Sequence, residues 1–185
     1  MLHLPDERGN VGTDFDEAMS AVEAATHESA ANMQLLKDAA LEAGARTVYS
    51  ATEAAAAIEE LAKAGMSTED IINGGLNGAL DLAASDGIAV ADAAATAAAA
   101  MTQFGLSGQD AAHIADLLAA GAGKALGSVG DLSQALNQSG LVAAQMGLSL
   151  DDTVGALSAL AEAGLIGSDA GTSFRQMLLR LANPT

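Results

Sequence analysis

A short unit of glycine, apolar residue and serine recurs along the chain, and it limits how far any helix can extend. The unit reads GMS at 65–67 and GLS at 105–107 and 147–149, so its glycines are 40 and 42 residues apart. Glycine accepts the left-handed conformation that commonly ends a helix. Serine caps the next helix, and the aspartate three residues later, at 70, 110 or 152, lies near the positive end of the helix dipole. The unit therefore predicts a helix, a tight turn and a second helix at three places.

Apolar spacing and a further cap define the remaining helices. Ser50 and Glu53 form a fourth cap of the same kind, without a glycine directly before the serine. Upstream, Phe15, Met19 and later apolar residues recur at intervals of three to four, which predicts one long helix that Gly44 ends. The expected helices are 14–43, 51–64, 68–85, 90–104, 108–122, 129–145, 150–163 and 169–182.

The composition supports a fold made only of helices. Half of the residues are hydrophobic but only 2% are aromatic, and alanine, which has the highest helix propensity, supplies about a quarter of the chain. The β-branched and aromatic residues that favour strands are scarce. We therefore expect an all-α protein, an array or compact bundle of about seven or eight short helices joined by Gly/Ser-capped turns, with one longer N-terminal helix. The recurrence of about 40 residues is similar in length to helical-hairpin repeats, but only the cap recurs, so a regular solenoid and a bundle both remain open.

The chain divides into a short terminus and one domain. Residues 1–13 contain Pro5, Gly9 and Gly12 without an apolar period, so we expect a flexible N-terminus there. Residues 14–185 are expected to form a single helical domain with a core stripe of large aliphatic side chains. These core anchors are Leu61, Ile71, Ile72, Leu76, Leu80, Leu82, Ile114, Leu117, Leu118, Leu132, Leu136, Leu157, Leu160, Leu178, Leu179 and Leu181.

The charge balance excludes several classes of protein. Lysine and arginine number 7 against 24 aspartates and glutamates, a net charge of −17, so specific nucleic-acid binding is not expected. The lack of cysteine excludes disulfides and zinc–thiolate sites. The positive mean hydropathy of +0.28 argues against disorder. The longest uncharged stretch, 93–109, is rich in alanine rather than leucine, so it is expected to be a packed helix and not a membrane span.

Two histidines and a glycine-rich segment are the first candidates for chemistry, and none completes a motif. His27 begins a zinc-protease pattern, but the second histidine would fall at Ala31. His113 and Asp116 share a predicted helix, yet two ligands make a weak metal site, and a surface pair explains them. The segment GAGKA at 121–125 lacks the first glycine and the final hydroxyl of a phosphate-binding loop.

Adjacent carboxylates are the remaining candidates for acid–base chemistry. They occur at 59–60, 69–70 and 151–152. Neighbouring residues on a helix point about 100° apart, so the members of a pair do not converge on one substrate. Caps and solvated faces explain them, and the seven cations are scattered. We therefore expect no catalytic, cofactor-binding or metal-binding residue, and no enzymatic activity.

An ordered set of segments, from Phe15 to the end of the chain, resembles a known family. The segments are TDFDEAMSAV at 13–22, LKDAA at 36–40, YSATEAA at 49–55, ELAKAGMS at 60–67, FGL at 104–106, ADLLA at 115–119, LAEAGLIGSDAGTSFR at 160–175 and MLLRL at 177–181. They follow one another in this order, and from the first to the last they span residues 13–181, about nine-tenths of the chain. Together they resemble the conserved N-terminal helical domain, the minor-tail-protein domain, of the tail tape measure proteins of long-tailed phages and prophages.

The resemblance implies a structural component of a phage tail. Members of the family set tail length during assembly, occupy the lumen of the tail tube and leave it ahead of the DNA at infection. The implied partners are tail-tube proteins, tail-tip proteins, tail assembly chaperones and further copies of the chain, about three or six in total. The implied location is the virion, in the tail lumen or tail tip, after assembly in the host cytoplasm. Because tape measure proteins continue well beyond this length, we expect a fragment of a longer chain.

The helical punctuation and the charge bear on this role. A continuous helix of this length would span on the order of 280 Å, but the glycine–serine units exclude it, so a folded head is expected rather than the extended ruler. The acidity is compatible with a DNA conduit that does not hold phosphate, and the solubility of an alanine-rich protein explains it equally. Two alternatives are a helical adaptor in a bacterial cell without a ruler role, and a module attached to a cell-wall hydrolase.

Overall fold

All regular structure is helical in residues 7–124 and 127–183, the residues that the computed structural model describes. The all-α prediction is therefore confirmed. The helices are α1 (Glu7–Thr26), α2 (Ala30–Arg46), α3 (Ala51–Lys63), α4 (Thr68–Asp70), α5 (Leu76–Asp86), α6 (Val90–Phe104), α7 (Ala111–Lys124), α8 (Val129–Gln145), α9 (Leu150–Glu162) and α10 (Gly167–Ala182). A π-helical turn, Ile71–Gly75, joins α4 to α5, and a 3-10 turn, Gly108–Asp110, leads into α7.

The single long helix predicted over 14–43 is wrong, because the chain breaks there into α1 and α2. His27 adopts a left-handed conformation with a φ of 53°, and the Ser29 side chain caps α2 by accepting a hydrogen bond from the backbone N–H of Asn32 at 3.3 Å. The chain then reverses, so that Lys37 on α2 lies 3.5 Å from Asp16 on α1. The break lets the apolar faces of both helices pack against α3.

The two ends of this region also differ from expectation. The first helix begins at Glu7 rather than at 14. Residues 1–6 lie outside the described residues, so the flexible terminus over 1–13 stays a prediction. Gly44 does not end a helix, because it lies inside α2, where a β-carbon would meet the backbone nitrogen of Ala51 at 2.6 Å. This glycine therefore provides close approach to the start of α3 rather than a C-terminal cap.

The recurring Gly–apolar–Ser unit forms the turns that the sequence predicts. Gly65, Gly105 and Gly147 all have positive φ, at 87°, 65° and 84°. In the third unit, the backbone N–H of Asp152 donates to the Ser149 hydroxyl at 3.1 Å, and that hydroxyl donates to the Asp152 carboxylate at 2.7 Å. Each unit thus ends one helix and starts the next within a few residues.

The helices pack as an array in which α3, α6 and α8 connect the two ends of the molecule. Helix α3 contacts α1, α2 and α6. Helix α6 in turn contacts α5 and α8, and α8 contacts α9 and α10. One continuous buried cluster extends through this array, from Phe15 on α1 to Leu178 on α10. The single helical domain over 14–185 stays a prediction.

Small residues bring the helices close together. The buried side of α6 consists mainly of alanine, namely Ala93, Ala94, Ala97, Ala98 and Ala100. At the contact of α5 with α7, a β-carbon on Gly78 would meet the carbonyl oxygen of Ala111 at 2.8 Å. Dispersion contacts then involve backbone as well as side-chain atoms, which compensates for the small area that each alanine buries.

Most of the predicted core anchors are in the core, but two are not. Leu61, Ile71, Leu82 and their counterparts up to Leu178 are buried or packed against the buried cluster. Leu179 and Leu181 are instead 45% and 67% exposed. They are wrong as core residues. Leu179 is offset by about 100° around the helix from the buried Leu178, and Leu181 lies in the last turn of α10, where the helix ends.

Within the described ranges, no single helix is both long and apolar enough to cross a membrane. One pair, Thr68–Asp86 with Val90–Phe104, passes the test of length and composition only when taken together, and it is bent by 118°.

Candidate functional surface

The histidine that the sequence paired with Asp116 contacts a different carboxylate. His113 on α7 lies with its Nε2 atom 3.1 and 3.2 Å from the two carboxylate oxygens of Asp151 at the start of α9. Both side chains are more than half exposed, so the pair connects two helices at the surface without forming a pocket. His27 occupies the turn between α1 and α2.

The adjacent carboxylates serve as caps and ion-pair partners. Asp152 binds its own cap serine, whereas its neighbour Asp151 binds the histidine described above. Glu59 and Glu60 differ from expectation, because both reach Nζ of Lys63, at 2.8 and 2.9 Å. Adjacent helical positions point about 100° apart, but the glutamate side chains are long and flexible, so both carboxylates can reach the same lysine. The two carboxylates raise the pKa of Lys63 by hydrogen bonding and charge.

Residues 121–124 of the GAGKA segment belong to a packed helix end rather than to a phosphate-binding loop, and residue 125 lies outside the described residues. Residues 121–124 are helical, and a β-carbon on Gly121 would meet the side chain of Val154 at 2.7 Å. The adjoining cavity between α7, α8, α9 and α10 measures about 20 Å³. That volume suits one water molecule, whereas small-molecule sites are typically hundreds of cubic ångströms.

Besides the Ser29 cap of α2, the cap at Ser128 was not predicted from the sequence. The Ser128 hydroxyl accepts from the backbone N–H of Asp131 at 3.1 Å, and Asp131 accepts from the backbone N–H of Ser128 at 2.9 Å. The signal was present in the same serine-to-aspartate spacing, but here glycine precedes the serine directly. This capping box starts α8, the helix on which α10 lies.

The cap carboxylates share one electrostatic property. Hydrogen bonds from the backbone N–H and the hydroxyl of the cap serine lower the pKa of Glu53, Asp110 and Asp131. The same two bonds lower the pKa of Asp152, and there the bond from the hydroxyl has the larger effect. All four carboxylates are therefore held in the charged form that a helix N-terminus favours.

No group of three or more histidines, aspartates or glutamates lies close enough to hold a metal ion, within residues 7–124 and 127–183. The expectation of no catalytic, cofactor or metal site remains a prediction.

The most distinctive exposed surface lies on α10. Ser173, Gln176, Met177, Arg180 and Leu181 line a shallow groove along this helix, and we call these five residues the α10 outer face. Their spacing of three and four residues places them on one side of the helix. Residue order did not indicate this surface, because the spacing of Leu181 is that of a core residue. Such a surface can bind another protein, because Met177 and Leu181 offer apolar contacts and Arg180 offers a cationic group beside them.

Comparison with known proteins identifies the chain. Residues 37–185 match the family described as phage-related minor tail protein. The tape measure protein of Pneumococcus phage Dp-1 is 38% identical over 126 residues, which make up 68% of this chain and 11% of that protein. No solved structure matches the chain significantly. Because the family match extends over most of its residues, the chain belongs to the phage-related minor tail protein family.

Proposed function

We propose that this chain is a folded structural part of a phage tail, within a longer protein that acts as a tape measure and performs no catalysis. The observation that carries this proposal is the 38% identity to a phage tape measure protein over 126 residues. The matched region is only 11% of that relative, which supports a folded head that accompanies an extended ruler elsewhere in the protein. The short helices of residues 7–124 and 127–183, several of them capped by serine, suit such a head.

The proposed location is the lumen or the tip of the tail, from which the protein leaves ahead of the DNA. The net charge of −17 supports this location, because an acidic surface does not retain phosphate. Tail-tube proteins, tail-tip proteins and assembly chaperones are the proposed partners, together with further copies of the chain. Assembly takes place in the host cytoplasm.

The ruler role is tested by deletion in the phage genome. In-frame deletions in the helical region outside this segment should shorten the tail by about 1.5 Å per deleted residue, the rise of an α-helix. Tail length is measured by electron microscopy of purified particles. The control is the matched phage with synonymous changes at the same positions. Tails of unchanged length would contradict the ruler role.

The virion location is tested separately with an antibody against residues 7–183. The protein should be present in purified, nuclease-treated particles and absent from particles whose DNA has been ejected. Detection only in host-cell lysate would favour a helical adaptor of the bacterial cell instead.

A further inference from the structure

The α10 outer face includes two apolar side chains, Met177 and Leu181, that remain exposed among the residues that the structure describes. Met177 is 48% exposed and Leu181 is 67% exposed. Their neighbours on the same helix, Phe174 and Leu178, are instead buried. Burial of the two exposed side chains against a partner would remove apolar area from water and so favour association.

The charge of α10 contrasts with that of the whole chain. This helix contains two arginines, Arg175 and Arg180, and one aspartate, Asp169, whereas the net charge of the chain is −17. In the part of the chain that the structure describes, Arg180 forms no ion pair. The arginine therefore presents its donors beside the exposed methionine and leucine, and an acidic apolar surface complements it.

Such a surface exists on α2 of the same chain. Leu35 and Leu41 are 52% and 47% exposed. Asp38, also exposed, is three residues from each leucine and lies between them on the helix surface. Gln34 Nε2 donates to Asp38 Oδ1 at 2.8 Å, and a carboxylate has capacity for further donors. We call Leu35, Asp38 and Leu41 the α2 outer face.

We infer that the α10 outer face of one copy docks on the α2 outer face of a second copy. Met177 and Leu181 then pack on the two leucines, and Arg180 pairs with Asp38. This inference rests on the proposed self-association and names the surfaces that produce it.

The contact joins two different surfaces, so it is heterologous. Repetition of such a contact closes a ring if the rotation between copies permits, and otherwise builds a filament. Because α2 packs on α3 while α10 packs on α8 and α9, each copy offers both surfaces at once. At physiological ionic strength the Debye length is about 8 Å. Salt therefore screens the long-range repulsion between two acidic copies more than it screens the attraction between Arg180 and Asp38 in contact.

Charge exchange tests the inference on the whole 185-residue chain by sedimentation equilibrium in physiological salt. R180E should weaken self-association about tenfold or more, because it places a carboxylate against Asp38. D38R should weaken it similarly. The double variant R180E/D38R should restore association to near the wild-type constant. The matched control is R175E, which makes the same change in charge on another side of α10.

Each outcome decides a separate question. Equal effects of R180E and R175E would overturn the docking surface while self-association remained. A loss with R180E that D38R does not restore would overturn the acceptor surface and hence the inference. A wild-type chain that is monomeric throughout would overturn both the inference and self-association, although the ruler role could still hold. Circular dichroism verifies folding, and R180Q replaces any glutamate variant that loses helicity.

Discussion

Gly171 on α10 lies directly against the backbone of Ala135 on α8. A β-carbon at 171 would overlap that backbone and would meet the β-carbon of Gln138 at 2.8 Å. The glycine thus sets how closely α10 approaches α8, with Phe174 and Leu178 buried in the same contact. The position of the α10 outer face therefore depends on a residue without a side chain.

Substitution of this glycine should destabilise the protein. G171A forces α10 away from α8, and overpacking of this kind costs about 1–3 kcal/mol. The measurement is the free energy of unfolding from urea denaturation followed by circular dichroism.

G155A is the matched control on α9. Nothing lies within 4 Å of a β-carbon at Gly155, so the higher helix propensity of alanine should stabilise the protein by about 0.5–1 kcal/mol. Similar losses in both variants would mean that steric overlap at 171 is not the cause.

The cap that begins α8 should contribute measurably to stability. S128A removes the hydroxyl that accepts the Asp131 N–H, and loss of such a cap costs about 1 kcal/mol. S173A, in the middle of α10 and exposed, should not destabilise the protein. Thermal unfolding midpoints distinguish the two variants, and a lower midpoint for S173A than for S128A would contradict the capping role.

The cap carboxylates should make stability depend on acid pH. The folded state lowers the pKa of Glu53, Asp110, Asp131 and Asp152, so unfolding takes up protons. The stabilisation is therefore present above the unfolded pKa values, about 4, and is lost as the pH falls through the lower folded values.

The comparison that isolates this effect uses the variant E53Q/D110N/D131N/D152N. Wild type should be more stable than the variant at pH 7, and the difference should shrink as the pH falls from about 5 towards 2. The difference in stability between the two proteins is used because protonation at low pH also relieves repulsion among the other carboxylates of a chain of net charge −17. That effect is present in both proteins. A difference that is constant with pH would contradict the assignment.

A buried amide should be replaceable with a gain in stability. Oε1 of Gln103 on α6 is buried beside Gly140 and accepts no hydrogen bond from any described residue. Q103M keeps the shape without the unpaired oxygen and should stabilise the protein by about 1 kcal/mol. Q145M at the exposed end of α8 should change little. A less stable Q103M in urea denaturation would contradict the destabilising role of this oxygen.

Local chemistry explains why the sequence alone predicted the helices so well. The caps at Ser67, Ser107 and Ser149 act through hydrogen bonds that span three residues, and the left-handed turns need only glycine. The alanine content favours helix at every intervening position. None of these effects requires knowledge of a distant residue.

Longer-range packing explains where the sequence was insufficient. The apolar spacing from Phe15 to Ala40 is the same whether one helix runs straight or two helices fold back on α3, so the break at residues 27–29 could not be seen. Glu28 beside this break accepts a hydrogen bond from Thr68 at 2.9 Å, a contact 40 residues distant.

By itself, then, the sequence determined the all-α class, the capped turns and the resemblance to phage tail proteins, because these depend on residue type and local order. Only the tertiary structure decided that Leu181 and Met177 are exposed while Leu178 is buried. Leu181 follows the buried Leu178 by three residues, so apolar spacing alone assigns both to one stripe. Which part of an apolar stripe remains exposed depends on the neighbours that fold against it, and residue order does not specify those neighbours.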